Sequence, residues 1–257
     1  MSHGRFINKR VVVTGAGQGI GRRVAERLAE EGAVLALIDR SIEQIEVLAP
    51  TLGASTVTLQ ADLERWDEAE RAMNASAEAL GGIDVLINNV GGTIWMRPYA
   101  SYDASQIEAE VRRSLFPTLW CCRAALPALL ATGGNIVNVS SVATRGIHRL
   151  PYAAAKGGVN ALTVSLAYEY AEQGLRVNAV APGGTEAPPR SVPRNPQAET
   201  EQEQNWRQEV VEQTKGTSFM HRYGSLDEQA GPILFLASDE ASYITGTVLP
   251  VAGGDPG

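Results

Sequence analysis

The sequence has few residues of the types that build disulfide scaffolds or zinc sites. Its only two cysteines, Cys121 and Cys122, are adjacent and cannot join distant parts of a fold, so we expect them to be small apolar side chains on a helix. The three histidines are scattered, and no metal site is predicted. The apolar runs, such as residues 33–38, are far shorter than the ~18 residues that a membrane-spanning helix needs.

Positive charge is also scarce. The 257 residues include 22 Lys and Arg against 29 Asp and Glu, a net charge of −7, and no basic block that would bind nucleic acid. The first ten residues, MSHGRFINKR, lack the apolar stretch of a secretory signal, and the few cysteines fit a reducing compartment, so a cytoplasmic protein is expected. A hydrophobic content of 44% is ordinary for a globular chain with one sizeable core.

Short β-branched runs alternate with amphipathic stretches along the whole chain. Strands are predicted at 10–13, 33–38, 56–59, 83–87, 135–139, 176–180 and 247–251. Helices are predicted at 19–31, 42–48, 66–80, 103–130 with interruptions at Pro117 and Pro127, 152–172, 208–213 (with an earlier start left open) and 226–237. This order indicates a single doubly wound α/β domain of the Rossmann type over 1–257, with a parallel sheet. A proline-rich, polar stretch predicts a lid-like insertion around 182–214.

A glycine-rich turn follows the first strand and precedes the first helix. Its sequence, TGAGQGIG, does not match the spacing GxGxxG but has the wider spacing Gly15-xxx-Gly19-x-Gly21. Glycines let the backbone approach a pyrophosphate at the positive end of a helix. We therefore expect Gly15, Gln18, Gly19, Ile20 and Gly21 to bind a dinucleotide.

Asp39 ends the second strand, close to the ~20-residue distance from the glycines at which such folds place a ribose-binding carboxylate. A carboxylate accepts hydrogen bonds from a free 2′-hydroxyl and repels a 2′-phosphate. Arg40 follows directly and partly offsets that repulsion. The pattern favours NAD over NADP as the cofactor.

Tyr152 and Lys156 are four residues apart on one predicted helix and therefore share a face. A tyrosine hydroxyl ordinarily titrates near ~10, and a neighbouring ammonium stabilises its phenolate, which is a usable proton acceptor. Ser141 follows the strand NIVNV and is placed to hold a substrate oxygen. We predict these three residues to be catalytic, with Ser141 preferred to Ser140.

These motifs together resemble the short-chain dehydrogenase/reductase family over essentially the whole chain: TGAGQGIG, NNVG, SS before YAAAK, and PGG. The resemblance implies cofactor contacts from Tyr152 and Lys156 and from residues that follow the strands: Asp62, Leu63, Asn89, Gly91, Pro182, Gly183 and Thr185. The family places an asparagine in the long helix as a fourth catalytic residue, and the matching position here is Ser114. A serine hydroxyl or a water is expected to replace it. The family likeness also implies a homo-oligomer, a dimer or tetramer built on the two long helices.

Several segments, among them 90–95, 110–122 and 181–190, resemble the branch of the family that acts on cyclohexadiene cis-diol carboxylates in benzoate and toluate breakdown. Such a substrate carries a carboxylate that an arginine can bind through two hydrogen bonds. We expect the substrate-binding residues to be Thr93, Trp95, Ser141, Arg145, His148 and Arg149. Arg145 is the preferred carboxylate ligand, and Arg190 and Arg194 in the lid are alternates.

Two other functions fit the sequence. One is a different alcohol dehydrogenase or ketoreductase on the same scaffold. The other is a dinucleotide-binding regulator without catalytic activity, against which the intact Ser141, Tyr152 and Lys156 argue.

Overall fold

The computed structural model describes residues 4–257 and contains one sheet of seven parallel strands. The strands are β1 (Arg10–Thr14), β2 (Val34–Asp39), β3 (Val57–Gln60), β4 (Val85–Asn88), β5 (Asn135–Val139), β6 (Arg176–Pro182) and β7 (Val248–Val251). The helices are α1 (Gly19–Glu30), α2 (Ile42–Leu52), α3 (Trp66–Leu80), α4 (Ala104–Thr132), α5 (Leu150–Tyr170), α6 (Glu201–Thr217) and α7 (Leu226–Ala237). The predicted doubly wound α/β fold is confirmed. Residues 1–3 of the N-terminal stretch considered for a secretory signal lie outside the described residues.

The strand order is β3-β2-β1-β4-β5-β6-β7. The chain leaves the centre of the sheet in one direction through β2 and β3 and in the other through β4 to β7. The connections after β1 and β4 therefore diverge, which opens a crevice at the carboxyl ends of these two neighbours. Ligands of such sheets bind in this crevice.

Both faces of the sheet are covered by helices, which explains why the central strands are continuously apolar. On one face, Val11 and Val13 of β1 pack with residues of α1, α2 and α7. On the other face, Val12 packs with residues of α3, α4 and α5. Cys121 and Cys122 of α4 are free and buried in this second core, as predicted, although Cys122 Sγ also accepts a hydrogen bond from Asn88 Nδ2 at 3.2 Å.

Helix α4 is the longest element, with 29 residues, and it runs through both of its prolines. The predicted interruptions at Pro117 and Pro127 are wrong. Each proline removes one backbone N–H donor, and packing against the sheet, α3 and α5 holds the helix together despite that loss. In length and composition α4 would also pass as a membrane span. It lies instead against the sheet, where Cys121 and Leu129 are fully buried.

The segment after β6 differs from the prediction in its helical part. Residues 183–200 form no helix or strand apart from an isolated bridge at Thr185, and α6 then occupies Glu201–Thr217 rather than 208–213. The helix begins earlier because Thr200 and Glu203 form a capping box, in which each side chain bonds the other residue's backbone N–H. Helix α2 likewise extends past residue 48 to Leu52, with Pro50 inside its last turn.

Candidate active site

A cleft of about 770 Å³ lies at the carboxyl ends of the strands. Its size is within the usual range for a site that holds a cofactor or a small molecule. Its walls come from the loops after β1, β2, β3, β4, β5 and β6 and from the segment that follows β6.

The glycine turn forms one end of the cleft. Gly15 and Gly19 have φ angles of +65° and +60°, which only glycine adopts without strain, and both line the cleft with Gln18 and Ile20. Gly21 does not line it. A Cβ at this position would overlap the carbonyl oxygen of Gly15, so Gly21 allows the helix to pack closely against the turn.

Asn89, at the end of β4, holds this turn in place. Its Nδ2 donates to the carbonyl oxygens of Thr14 and Gly15 at 3.2 and 3.1 Å, and its backbone N–H donates to Thr14 Oγ1 at 3.0 Å. Asn89 also lines the cleft. These side-chain contacts of Asn89 therefore fix the position of the glycine turn.

The start of α1 fits a dinucleotide phosphate. Gly19-Ile20-Gly21-Arg22 contains no acidic residue, and within the described chain the side chain of Gln18 makes no capping hydrogen bond. The first backbone N–H groups of the helix are then available to an anion at the positive end of the helix dipole. A Cβ at Gly19 would meet nothing within 4 Å, so the turn is open on this side.

Asp39 is fixed at the next wall. One of its carboxylate oxygens accepts from the Gly17 backbone N–H at 2.9 Å and the other from the Ser41 backbone N–H at 3.0 Å. Arg40 lies beside it and also lines the cleft, as do Asp62 and Leu63 after β3. A ribose and an adenine therefore fit at this end of the cleft.

Tyr152 and Lys156 lie one turn apart on α5, and both face the cleft. The Lys156 ammonium is 6.0 Å from the centre of the Tyr152 ring, and it donates to the carbonyl oxygen of Val139 at the end of β5 at 2.7 Å. Burial lowers the pKa of Lys156 to about 7, with a further contribution from the nearby Arg194. The amine is thus a buried group next to the phenol.

The two serines after β5 have different contacts. Ser140 donates to the carbonyl oxygen of Lys156 at 3.3 Å and contacts Asn160, so its hydroxyl fastens the strand to α5. Ser141 accepts from the Ala143 backbone N–H at 3.0 Å and lines the cleft. Ser141 Oγ lies 3.5 Å from the carbonyl oxygen of Pro182, at the limit of a hydrogen bond, and this weak contact leaves the hydroxyl available to donate to a ligand.

Ser114 does not reach the cleft wall. It is fully buried on α4, and its Oγ accepts from the Gly92 backbone N–H at 3.3 Å. Gly91, which lines the cleft, lies next to Ser114. A Cβ at Gly91 would come within 3.0 Å of Lys156 Nζ. Ser114 therefore supports the loop after β4, and the structure gives it no direct contact with Lys156 or Tyr152.

Three of the predicted substrate ligands lie outside the cleft. Arg145 ends a short 3₁₀ turn that directs its side chain outward, where it is 65% exposed and 3.8 Å from Asp255. His148 does not line the cleft, and its Nε2 lies 2.6 Å from a carboxylate oxygen of Glu209 on α6. Trp95 does not line the cleft either. The loop after β5 turns away from the cleft at Arg145, which the linear sequence does not reveal.

The other three predicted ligands, Thr93, Ser141 and Arg149, do line the cleft. Burial lowers the pKa of Arg149, whose Nη2 donates to Thr214 on α6 at 3.3 Å. Pro182, Gly183 and Thr185, where β6 ends, form the wall opposite.

Glu110 is a functional residue that the sequence reasoning missed. It is fully buried on α4, and one carboxylate oxygen accepts from the backbone N–H groups of Ile94 and Trp95 at 2.7 and 2.9 Å. Burial raises its pKa. Glu110 thereby fixes the loop that carries Thr93. The sequence signal for this role was a charged residue one turn before Ser114, on the face of the helix that packs inward.

We expect Glu110→Leu to lower the melting temperature and to raise the KM for the substrate, because it leaves two buried N–H groups unpaired at a cost of about 1–3 kcal/mol each. Glu110→Gln is the matched control, since its amide oxygen still accepts both bonds. Thermal unfolding and steady-state kinetics of the two variants test this. Equal melting temperatures for Leu and Gln would contradict the role.

The lid segment crosses the cleft and contacts three of its walls. Gln18 Nε2 donates to the carbonyl oxygen of Val192 at 3.3 Å, and Arg113 Nη1 donates to that of Arg194 at 3.0 Å. Arg40 reaches the carbonyl oxygen of Pro193 at 3.5 Å. The lid is therefore closed over the site.

Comparison with known proteins agrees with this geometry. A family model described as short chain dehydrogenase matches residues 9–198. The chain belongs to the short-chain dehydrogenase family. The predicted family and the predicted enzyme class are confirmed.

Two relatives of this short-chain dehydrogenase cover nearly all of it. The chain is 59% identical over 256 residues to the 1,6-dihydroxycyclohexa-2,4-diene-1-carboxylate dehydrogenase of Acinetobacter baylyi, covering 98% of each chain. It is 62% identical over 256 residues to a Pseudomonas putida protein of the same name, covering 98% of this chain and 94% of that one. The crystal structure of a 3-ketoacyl-(acyl-carrier-protein) reductase from Brucella melitensis, complexed with NADH, has a TM-score of 0.84 and 26% identity, covering 97% of this chain and 98% of that one.

Proposed function

We propose that this enzyme oxidises the secondary alcohol of 1,6-dihydroxycyclohexa-2,4-diene-1-carboxylate, or of a ring-substituted analogue, with NAD, during the breakdown of aromatic acids in the cytoplasm. The observation that carries the reaction type is the Tyr152–Lys156 pair facing the cleft beside Ser141. The substrate is supported by the names of the two relatives that are 59% and 62% identical.

The chain's own residues supply the proton chemistry. Tyr152 accepts the proton of the secondary ring hydroxyl, and Ser141 donates a hydrogen bond to the same oxygen. Lys156 stabilises the phenolate through its positive charge. The glycine turn and Asp39 would hold NAD, whose nicotinamide would supply the hydride acceptor for the carbon bearing this hydroxyl.

Loss of carbon dioxide needs no further catalytic group. Oxidation places a ketone β to the carboxylate, and a β-keto acid on this ring loses carbon dioxide readily because the product regains aromaticity. The expected final product is a catechol.

Asp39 supports NAD rather than NADP. We expect Asp39→Ser to lower the ratio of kcat/KM with NAD to kcat/KM with NADP by about 10-fold or more, equivalent to about 1.4 kcal/mol. The reason is that the carboxylate repels a 2′-phosphate and accepts from a free 2′-hydroxyl, whereas Arg40 remains to contact the phosphate. Initial rates with each cofactor measure the ratio. An unchanged ratio would show that Asp39 does not select the cofactor.

The proposed reaction is tested by incubating the purified protein with NAD and the diol acid. We expect NADH, catechol and carbon dioxide in equal amounts. A panel of other secondary alcohols and ketones is run in parallel. Turnover of another alcohol without turnover of the diol acid would favour a different short-chain dehydrogenase, and cofactor binding without any turnover would favour a non-catalytic protein.

We also propose that the enzyme is a homo-oligomer, a dimer or tetramer that associates through α4 and α5. Val164 and Tyr168, one turn apart on α5, are 50% and 91% exposed in the single chain, and a subunit contact would cover them. Light scattering on the purified protein measures the molar mass. A mass near the 27.4 kDa of one chain would exclude the oligomer.

A further inference from the structure

Three arginines from two parts of the chain meet at the cleft. Arg113 comes from α4, and Arg190 and Arg194 come from the lid. Arg113 lies 3.3 Å from the carboxylate of Glu64, but within residues 4–257 neither Arg190 nor Arg194 forms an ion pair. Their positive charges act on one another, which lowers the pKa of both lid arginines in addition to the larger effect of burial. Two neighbouring cations without an ion-pair partner in that range, Arg190 and Arg194, indicate an anionic ligand.

Arg194 is the most confined of the three. Its guanidinium contacts Gly92 in the loop after β4, where a Cβ would overlap it. Its Nε is buried and has no hydrogen-bond partner within the described chain. A desolvated guanidinium with an unpaired donor is costly unless an anion binds it. Burial, together with Arg190, lowers the pKa of Arg194 to about 10.

The surroundings of Arg194 distinguish the two anions that the cleft would hold. Tyr152 acts on Arg190, but so do Asp39 and Arg40, which lie at the ribose end. Tyr152 is also among the charges that act on Arg194, and Arg194 in turn acts on Lys156. The Arg194 guanidinium also lies against Gly92, and a Cβ at the preceding Gly91 would come within 3.0 Å of Lys156 Nζ, so Arg194 lies at the catalytic end of the cleft.

We propose that Arg194 binds the carboxylate of the substrate and so determines the preference for an acid. This inference rests on the proposed function. In the diol acid the carboxylate is attached to the carbon next to the one that is oxidised, so its ligand must lie beside Tyr152. An arginine binds a carboxylate through two parallel hydrogen bonds, which also fixes the orientation of the ring.

The other arginines near Tyr152 are less suited to this role. Arg149 also has a buried Nε without a hydrogen-bond partner within the described chain, but its Nη2 donates to Thr214 of α6, and Asp255 is among the negative charges that act on it. Arg145 is exposed and lies outside the cleft. Because Arg194 belongs to the lid, binding of the acid also holds the lid closed over the reacting atoms.

The test compares the diol acid with the same cyclohexadiene cis-diol lacking the carboxylate, in the wild type, Arg194→Met and Arg194→Lys. We expect Arg194→Met to lower kcat/KM for the acid roughly 100-fold or more, with kcat/KM for the neutral diol and the Kd for NAD nearly unchanged. Arg194→Lys keeps the charge and loses the two-bond geometry, so an intermediate loss is expected. Arg207→Met, which removes an exposed arginine of α6 paired with Glu199, is the control and should match the wild type.

Activity on the neutral diol shows that a variant is folded. If Arg194→Met lost activity on both diols equally, or lost NAD binding, Arg194 would be a cofactor or structural residue and the proposal would be wrong. Retained preference for the acid in Arg194→Met, with a selective loss in Arg149→Met, would also overturn it. Failure of the wild type to oxidise the acid would instead contradict the proposed function, so the two failures are distinguishable.

Discussion

Tyr152→Phe is expected to reduce NADH formation from the diol acid by roughly 10³-fold or more, because the substitution removes the only oxygen of this side chain that accepts the alcohol proton. The ring remains, so packing at the start of α5 and the Kd for NAD should change little. Stopped-flow absorbance of reduced nicotinamide measures the rate, and quenching of protein fluorescence measures NAD binding.

Ser141→Ala is the companion variant. It removes a hydrogen bond to the same oxygen and leaves the proton acceptor in place, so a smaller fall in kcat is expected than for Tyr152→Phe. Substantial turnover by Tyr152→Phe would mean that another group takes the proton, and the assignment of the base would be wrong.

Lys156→Met is expected to abolish turnover and, at low pH, to raise the melting temperature. In the folded protein the pKa of Lys156 is about 7, against 10.5 in its ordinary state. Folding therefore disfavours its charged form, and the resulting penalty on stability is full below pH 7 and declines as pH rises toward 10.5. Methionine fills the same space without a charge and removes the penalty.

Thermal unfolding of the wild type and Lys156→Met at pH 6 and pH 9 checks this. The variant leaves the carbonyl oxygen of Val139 without the Lys156 ammonium, which offsets part of the gain at both pH values. The difference in melting temperature, variant minus wild type, should still be larger at pH 6, by roughly 2–4 °C for each kcal/mol recovered. A difference independent of pH would show that Lys156 is not desolvated in the folded protein.

Much of the fold follows from local patterns in the sequence. The buried strands are continuous apolar runs, and strand-helix-strand repetition leaves a parallel sheet as the simple solution. The prolines of α4 were misleading because helix-breaking propensity is a local effect, whereas the burial of Pro117 is a tertiary one. The start of α6 is set by a capping box at Thr200. This residue lies inside a proline-rich, polar stretch, which concealed the helix start in the sequence.

The predictable part of the site consists of residues whose position depends on one element. Tyr152 and Lys156 share a helix face by spacing alone, and Asp39 ends a strand whose neighbours are fixed by topology. The carboxylate ligand depends instead on the paths of two long loops. Arg145, close in sequence to Tyr152, faces solvent, whereas Arg194, more than 40 residues away in the sequence, reaches the cleft because the lid folds back across it.

The proposed function depends on one step, the transfer of the hydrogen from the carbon that bears the secondary hydroxyl to the cofactor. The diol acid is prepared with deuterium at this carbon and incubated with the enzyme and NAD, and the reduced cofactor and the product are analysed by mass spectrometry. The account predicts one deuterium in each reduced cofactor and an unlabelled catechol. Deuterium released to water with formation of a hydroxybenzoate and no reduced cofactor would mean that the enzyme dehydrates the diol, and the dehydrogenase assignment for this substrate would be wrong.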